Sequence, residues 1–225
     1  MAEFVLVAGA WLGAWAWDDV VPALREAGHG AHPVTLSGLA ERSGIPAGQQ
    51  THVQDIVDVV ERADLRNVVM VGHSYSGIPV GQAAQRIGDR LHHAVFVDSN
   101  VPTDGESFTS VWSAAQVAEL TERGFWPPLP AEDYAGQGLS DEQIARIVGS
   151  TPHPAASLTE PAKLNGPLEE LPATYLKCLL DGDTPSPDVV KLLESDRWRL
   201  VEMETGHWPM FSQPAELARL LLEVA

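Results

Sequence analysis

Cysteine is almost missing from this chain. The single Cys178 has no partner for an internal disulfide, and a reducing cytoplasm is the expected setting. Basic residues are scarce as well. There are 14 Lys and Arg against 31 Asp and Glu, a net charge of −17. No basic stripe exists to replace the counterions of a nucleic acid, so nucleic-acid binding is excluded. The same deficit argues against docking on an anionic membrane. No run of 18 apolar residues occurs, so nothing reads as a bilayer span. Met1-Ala2-Glu3-Phe4 lacks a basic n-region and a separate apolar stretch, and no signal peptide is expected. No spacing of histidines and carboxylates suggests a metal site, and no cofactor is expected. Internal repeats and low-complexity tracts are absent.

What is present fits one ordinary globular domain: 225 residues, 44% apolar and 20% charged. Short apolar runs alternate with helical patterns. Strands are expected at 4–7, 31–36, 68–71, 91–97, 173–180 and 198–203. Helices are expected at 19–27 (capped by Asp18), 53–63, 78–87, 187–193 and 214–224. Such alternation predicts an α/β fold, a mostly parallel central sheet with helices on both faces. The alternation breaks at 102–167, which is rich in Pro and Gly. That segment holds two amphipathic helices, near 113–123 and 141–149, and aromatics including Phe108, Trp112, Phe125, Trp126 and Tyr134. It reads as a small helical cap inserted into a core formed by 1–101 and 168–225.

The stretch Val68-Val69-Met70-Val71-Gly72-His73-Ser74-Tyr75-Ser76-Gly77 organises the rest. A buried strand that turns abruptly into a helix around a serine is a nucleophile elbow. Gly72 is expected to be glycine because a side chain there would collide with the serine. Ser76 stands where the pattern G-x-S-x-G has its last glycine, and Gly77 follows one later. The helix N-terminus beneath Ser74 favours negative charge developing there.

A serine hydroxyl needs a base. Of the 8 histidines, His207 is best placed, in Thr205-Gly206-His207-Trp208-Pro209 just beyond the last strand. His73 is expected to point elsewhere, His92, His93 and His153 to lie at the surface, and His29, His32 and His52 to sit near helix ends or loops. The base in turn needs a carboxylate to fix its tautomer. Asp181, leaving the strand at 173–180, is the first choice, with Asp183 and then Asp98 in reserve. Asp98 is more simply read as anchoring the root of the cap. The chain order Ser74, Asp181, His207 is that of α/β-hydrolases. Two amides, of Tyr75 and of Ala10 in the small-residue loop Ala8-Gly9-Ala10, would form an oxyanion hole. Trp11, Tyr75, Trp126, Trp208 and Met210 are candidates to line an apolar substrate pocket.

With these residues the chain resembles the compact α/β-hydrolases that include plant salicylate-ester esterases and hydroxynitrile lyases. The resemblance rests on Phe-Val-Leu-Val-Ala-Gly-Ala-Trp at 4–11, Gly-Ala-Trp-Ala-Trp at 13–17, Gly-His-Ser-Tyr at 72–75, Val-Pro-Thr-Asp-Gly-Glu-Ser at 101–107 and Gly-His-Trp-Pro at 206–209. It extends to Cys178-Leu179-Leu180-Asp181 with Pro185, which favours Asp181 over Asp183. It implies a serine esterase acting on a small, fairly apolar ester, lactone or thioester. The expected partner is a small-molecule substrate, with a homodimer allowed. Two departures stand out. Ala8-Gly9 replaces the family's His-Gly. Gly9 and Trp208 occupy the places of a threonine and a lysine used by the lyases, which counts against cyanohydrin cleavage. A cofactor-free dioxygenase or lyase built on the same three residues is the main alternative, and a binding protein with a decayed site is the second.

Overall fold

The computed structural model describes residues 1–225. In chain order the strands are β1 (Glu3–Val7), β2 (Gly30–Val34), β3 (Val68–His73), β4 (Leu91–Val97), β5 (Phe125–Trp126), β6 (His153–Pro154), β7 (Ala173–Cys178) and β8 (Trp198–Met203). The helices are α1 (Val21–Glu26), α2 (Gln49–Arg62), α3 (Gly77–Arg86), α4 (Ala114–Arg123), α5 (Asp141–Val148), α6 (Ala155–Thr159), α7 (Pro187–Leu192), α8 (Pro209–Ser212) and α9 (Pro214–Leu222). Six strands form one sheet in the order β2-β1-β3-β4-β7-β8. Every pairing in it is parallel.

The period of the strands sorts the core into two layers. On β3, Val68 and Met70 face one layer with Val53, Ile56 and Val60 of α2 and Val80 of α3. Val69 and Val71 face the other, with Leu24 of α1 and Leu217 and Leu221 of α9. All six residues of β3 are buried, which is why its sequence shows no alternation of polar and apolar residues. β3 sits between β1 and β4, so Ser74 emerges at mid-sheet.

Three expected boundaries move for identifiable reasons. α1 begins at Val21 with Pro22 in its first turn, and Asp18 does not cap it. A helix from residue 19 would place Pro22 where its missing N–H and its ring are costly. A 3₁₀ turn at Ala14–Trp17 takes up the preceding residues and buries Trp17. α2 starts at Gln49, earlier than the apolar spacing indicates, because Gly48 donates its amide to the Thr51 hydroxyl at 3.2 Å and stops the loop there. β7 ends at Cys178, and Leu179–Asp181 turn as a 3₁₀ helix.

The insertion holds α4 and α5, each opened by a serine whose side chain accepts from the amide three residues on: Ser113 from Gln116 and Ser140 from Gln143. It also holds an antiparallel ladder, β5 with β6, and the short α6, neither of which the sequence pattern signals. Tyr134 and Ile147 are buried in the layer that holds Leu217, and Leu158 in the layer that holds Ile56, so the insertion packs onto both.

The elbow shows why its glycine sits one place late. A Cβ on Gly77 would lie 2.0 Å from the Asn100 carbonyl and 2.3 Å from Ser99 Oγ. Ser76 is tolerated because its hydroxyl donates to the Ala8 carbonyl, tying the elbow to the end of β1. Gly72 is needed for a reason other than the one expected: its Cβ would meet the Ser76 carbonyl at 2.9 Å and Val80 at 3.0 Å rather than Ser74. Gly77→Ala should therefore cost about 3 kcal/mol or more through overpacking, whereas Ser76→Gly should cost only ~1 kcal/mol for one lost hydrogen bond. Urea unfolding midpoints of the two variants test this, and equal losses would contradict it.

Candidate active site

The carboxyl ends of β1, β3 and β4 lead into three residues held at positive φ: Trp11 (φ 68), Ser74 (φ 54) and Asp98 (φ 42). Non-glycine residues in this region are uncommon and concentrate where surrounding structure forces them. At Ser74 the conformation is that of the elbow, with the hydroxyl lifted out of the sheet.

His207 reaches the same point from the loop after β8. Ser74 Oγ donates to His207 Nε2 at 2.9 Å. His207 Nδ1 donates to Asp98 Oδ2 at 2.8 Å and lies 3.1 Å from Asp181 Oδ2. Two carboxylates thus meet one ring nitrogen. Asp181 is where its position after β7 places it. Asp98 is not confined to the cap's root as expected: it touches the imidazole at the shorter distance. Asp98 is buried, its side chain 3% exposed, while that of Asp181 is 41% exposed. Asp183 is exposed to solvent. The buried Lys177 ammonium donates to Asp98 Oδ1 at 2.6 Å and to the Asp181 carbonyl at 3.0 Å.

This arrangement sets the titration of His207. Burial pulls its pKa down, but the hydrogen bonds and negative charge of Asp181 and Asp98 outweigh burial and push it up to about 9. Burial would raise the Asp181 carboxyl, yet its interaction with His207 reverses that and holds it below its ordinary value.

His73 does not point away, as chain alternation suggests. Its ring lies 4.9 Å from that of His207, centroid to centroid. Nε2 donates to the His207 carbonyl at 2.7 Å, and Nδ1 accepts from the Gly9 amide at 3.2 Å. One ring therefore holds both the loop bearing His207 and the loop bearing Ala10. Gly9 must be glycine beside it, since a Cβ would come within 2.8 Å of both His73 Nδ1 and Ser74 Cβ. His153 is buried rather than at the surface, and its Nδ1 accepts from the Trp11 amide at 3.3 Å. Between the engaged Gly9 and Trp11 amides, Ala10 lines the pocket together with Ser74 and Tyr75. These anchors hold the loop where Ala8 replaces the family's histidine.

The pocket beside Ser74 has a volume of about 240 Å³. Trp11, Trp126 and Trp208 line it, joined by Phe108 and Leu129, with Asp133 and Gln137 from the insertion. Trp11 Nε1 donates to the Trp126 carbonyl at 3.0 Å and the two rings touch at 4.4 Å, which fixes one wall. Gln137 Oε1 accepts from the His207 amide at 2.6 Å. Met210 is not part of the wall. α8 starts at Pro209 and turns Met210 into the core with Trp17 and Leu217, where it is fully buried. A larger groove of about 660 Å³, between residues 101–104, 164–169 and α7, contains none of Ser74, Asp181 and His207.

With this geometry in place, the model of the alpha/beta hydrolase family matches residues 4–220. The chain belongs to the alpha/beta hydrolase family. A carbendazim hydrolyzing esterase from Nocardioides sp. (strain SG-4G) is 31% identical over 98% of this chain and 98% of its own length. Methylesterase 17 of Arabidopsis thaliana is 27% identical over 99% of this chain and 91% of its own. Among solved structures, an extracellular alpha/beta-hydrolase from a Paenibacillus species superposes with a TM-score of 0.85 at 23% identity, covering 100% of this chain and 99% of that one. Polyneuridine aldehyde esterase gives 0.77 at 22%, covering 100% and 99%. Like the relatives named esterases, this hydrolase is a carboxylic ester hydrolase.

Sequence reasoning missed the roles of His73, Gln137 and His153 in this hydrolase. For His73 the signal was available, since the residue before an elbow serine must flank the serine's own loop. Gln137 and His153 arrive from the insertion, and nothing in their local pattern marks them.

The buried rings also set how stability follows pH. Burial lowers His73 to about 3 and His52 to about 4, and holds His153 well below its ordinary value. The unfolded chain binds protons that these neutral rings refuse, so stability present above pH 6.5 is lost as pH falls toward 3–4. His207 acts with the opposite sign: its contribution is full below 6.5 and is lost as pH rises toward about 9. Stability of this hydrolase should therefore peak near pH 6.5. Activity requiring a neutral His207 should keep rising toward about 9. Urea midpoints and kcat/KM for an uncharged ester, measured across that range, test both. Coincident optima would contradict the assignment.

Proposed function

We propose that this hydrolase cleaves small, fairly apolar, uncharged esters through an acyl-enzyme on Ser74. The observation that carries the reading is the 2.9 Å contact between Ser74 Oγ and His207 Nε2, with a carboxylate already on His207 Nδ1. Ser74 attacks the ester carbonyl as His207 takes its proton. The Ala10 and Tyr75 amides receive the oxyanion, where preorganised donors have their largest effect. His207 then passes the proton to the departing alcohol. Water, activated by the same ring, releases the acid.

Three features support the substrate class. The cavity of about 240 Å³ is small against the several hundred Å³ of drug-sized sites. Trp11, Trp126 and Trp208, with Phe108 and Leu129, give it an apolar side. No lysine or arginine lines it, while Asp133 and Asp181 do, so a substrate with a free carboxylate meets repulsion, and so does the acid product. The methylesterase and carbendazim-hydrolysing relatives make methyl esters and carbendazim the first compounds to try. Lyase chemistry finds no support here, because a threonine at Gly9 would strike both His73 and Ser74.

A p-nitrophenyl acetate assay should show a burst of one equivalent followed by slower turnover, and a fluorophosphonate should label Ser74. Ser74→Ala should lower kcat by roughly 10⁴-fold or more. Label on another residue, or full activity of Ser74→Ala, would overturn the reading. A series of esters differing in acyl and alcohol length then defines the substrate.

A further inference from the structure

Asp98 and Asp181 are not equivalent partners of His207. Both oxygens of Asp98 are fixed: Oδ1 by Lys177 Nζ at 2.6 Å and the Cys178 amide at 3.3 Å, Oδ2 by His207 Nδ1 at 2.8 Å. Its backbone is held at φ 42 directly at the end of β4, and its amide donates to the Leu176 carbonyl at 2.7 Å on neighbouring β7. Asp181 stands on a 3₁₀ turn ahead of Gly182 (φ 94), with its carboxylate two-fifths exposed and 3.1 Å from Nδ1. His207 Nδ1 is its one ion-pair contact, and Lys177 holds its backbone carbonyl rather than its side chain.

A carboxylate that orients an imidazole must itself be held still, and must present one oxygen along the N–H direction. Asp98 meets both demands and Asp181 meets neither as well. We propose that Asp98 is the principal positioning residue for His207, with Lys177 locking its second oxygen, and that Asp181 is an auxiliary carboxylate at the solvent edge. The assignment rests on the serine-esterase reading above. In it, the single Nδ1 proton is shared chiefly with Asp98. When His207 takes the Ser74 proton, the imidazolium faces Asp98, whose second oxygen Lys177 holds directly, and Asp181, whose carboxylate Lys177 does not hydrogen-bond. Asp98 thereby fixes tautomer and direction, and Asp181 supplies additional negative charge through a more mobile contact. Cys178 has no part in this beyond its amide, since burial keeps its thiol protonated.

The test compares Asp98→Asn with Asp181→Asn. An amide at position 98 turns a donor toward Nδ1 and disfavours the acting tautomer. Because Asp98→Asn alone leaves Lys177 buried without its counter-charge and risks misfolding, the double variant Asp98→Asn/Lys177→Met is made in parallel. Circular dichroism and urea unfolding report whether each folds. With a neutral chromogenic ester, the Asp98 variants should lose about 10³-fold or more in kcat, with KM within about threefold and no recovery at high pH. Asp181→Asn should lose at least tenfold less, and its acid limb in kcat/KM should move down toward the ordinary histidine value. The far-downfield Nδ1 proton resonance of His207 should persist in Asp181→Asn and vanish in the Asp98 variants, a change that a merely structural role would not produce in a folded protein. An equal or larger loss in Asp181→Asn, or survival of that resonance without Asp98, would overturn the proposal. Fluorophosphonate labelling of the wild type separates the two readings. If Ser74 is labelled and Asp181 proves dominant, only the Asp98 assignment falls; if Ser74 is not labelled, the esterase reading falls first.

Discussion

One buried neutral imidazole holds the site together. His73 donates to the His207 carbonyl and accepts from the Gly9 amide, at 2.7 and 3.2 Å. It can do both only with a proton on Nε2 and none on Nδ1, and burial enforces that state by driving its pKa to about 3. Because His73 ends β3 and Ser74 begins the elbow, the same backbone that lifts the serine also spaces the two loops that must meet it. Proton transfer between Ser74 and His207 needs a contact near 3 Å. Here that distance is inherited from the sheet rather than from a flexible loop.

The second constraint is electrostatic. Asp98, Asp181 and Lys177 leave one unbalanced negative charge beside His207, and the ring answers by holding a proton up to about pH 9. The buried pair Asp98–Lys177 is weak grounds for stability, since the cost of desolvating both ions offsets their attraction. Its value lies in direction, because a carboxylate clamped at one oxygen offers the other along a fixed line.

How much of this was readable in the sequence follows from where each residue sits. Ser74, His207, Ala10 and Tyr75 lie at strand ends, where period and turn chemistry declare themselves, and the structure brings all four to one rim. Asp181 was readable by the same rule. Asp98 obeyed it too, but a carboxylate at a strand end has two natural explanations, and only the register of β4 against β7 brings it to Lys177 and His207. Met210 was misjudged because proximity to His207 in sequence says nothing about which way a short helix turns. The insertion was legible as two amphipathic helices, and the serines that cap them were not singled out. Its β5–β6 ladder is two residues a side, below any periodic signal, and yet it seats His153 against the Trp11 amide.

Through that ladder the insertion reaches the site directly. His153 holds the loop after β1 through the Trp11 amide, and Gln137 holds the His207 loop through its amide. The core has made room for the second contact: a Cβ on Gly206 would lie 2.3 Å from Gln137 Oε1. Both contacts come from residues of the insertion, and Gln137 itself lines the pocket. The two loops whose spacing His73 sets are therefore each held a second time from the insertion, and the same segment supplies part of the pocket lining, so the size of the pocket and the alignment of Ser74 with His207 depend on one set of contacts.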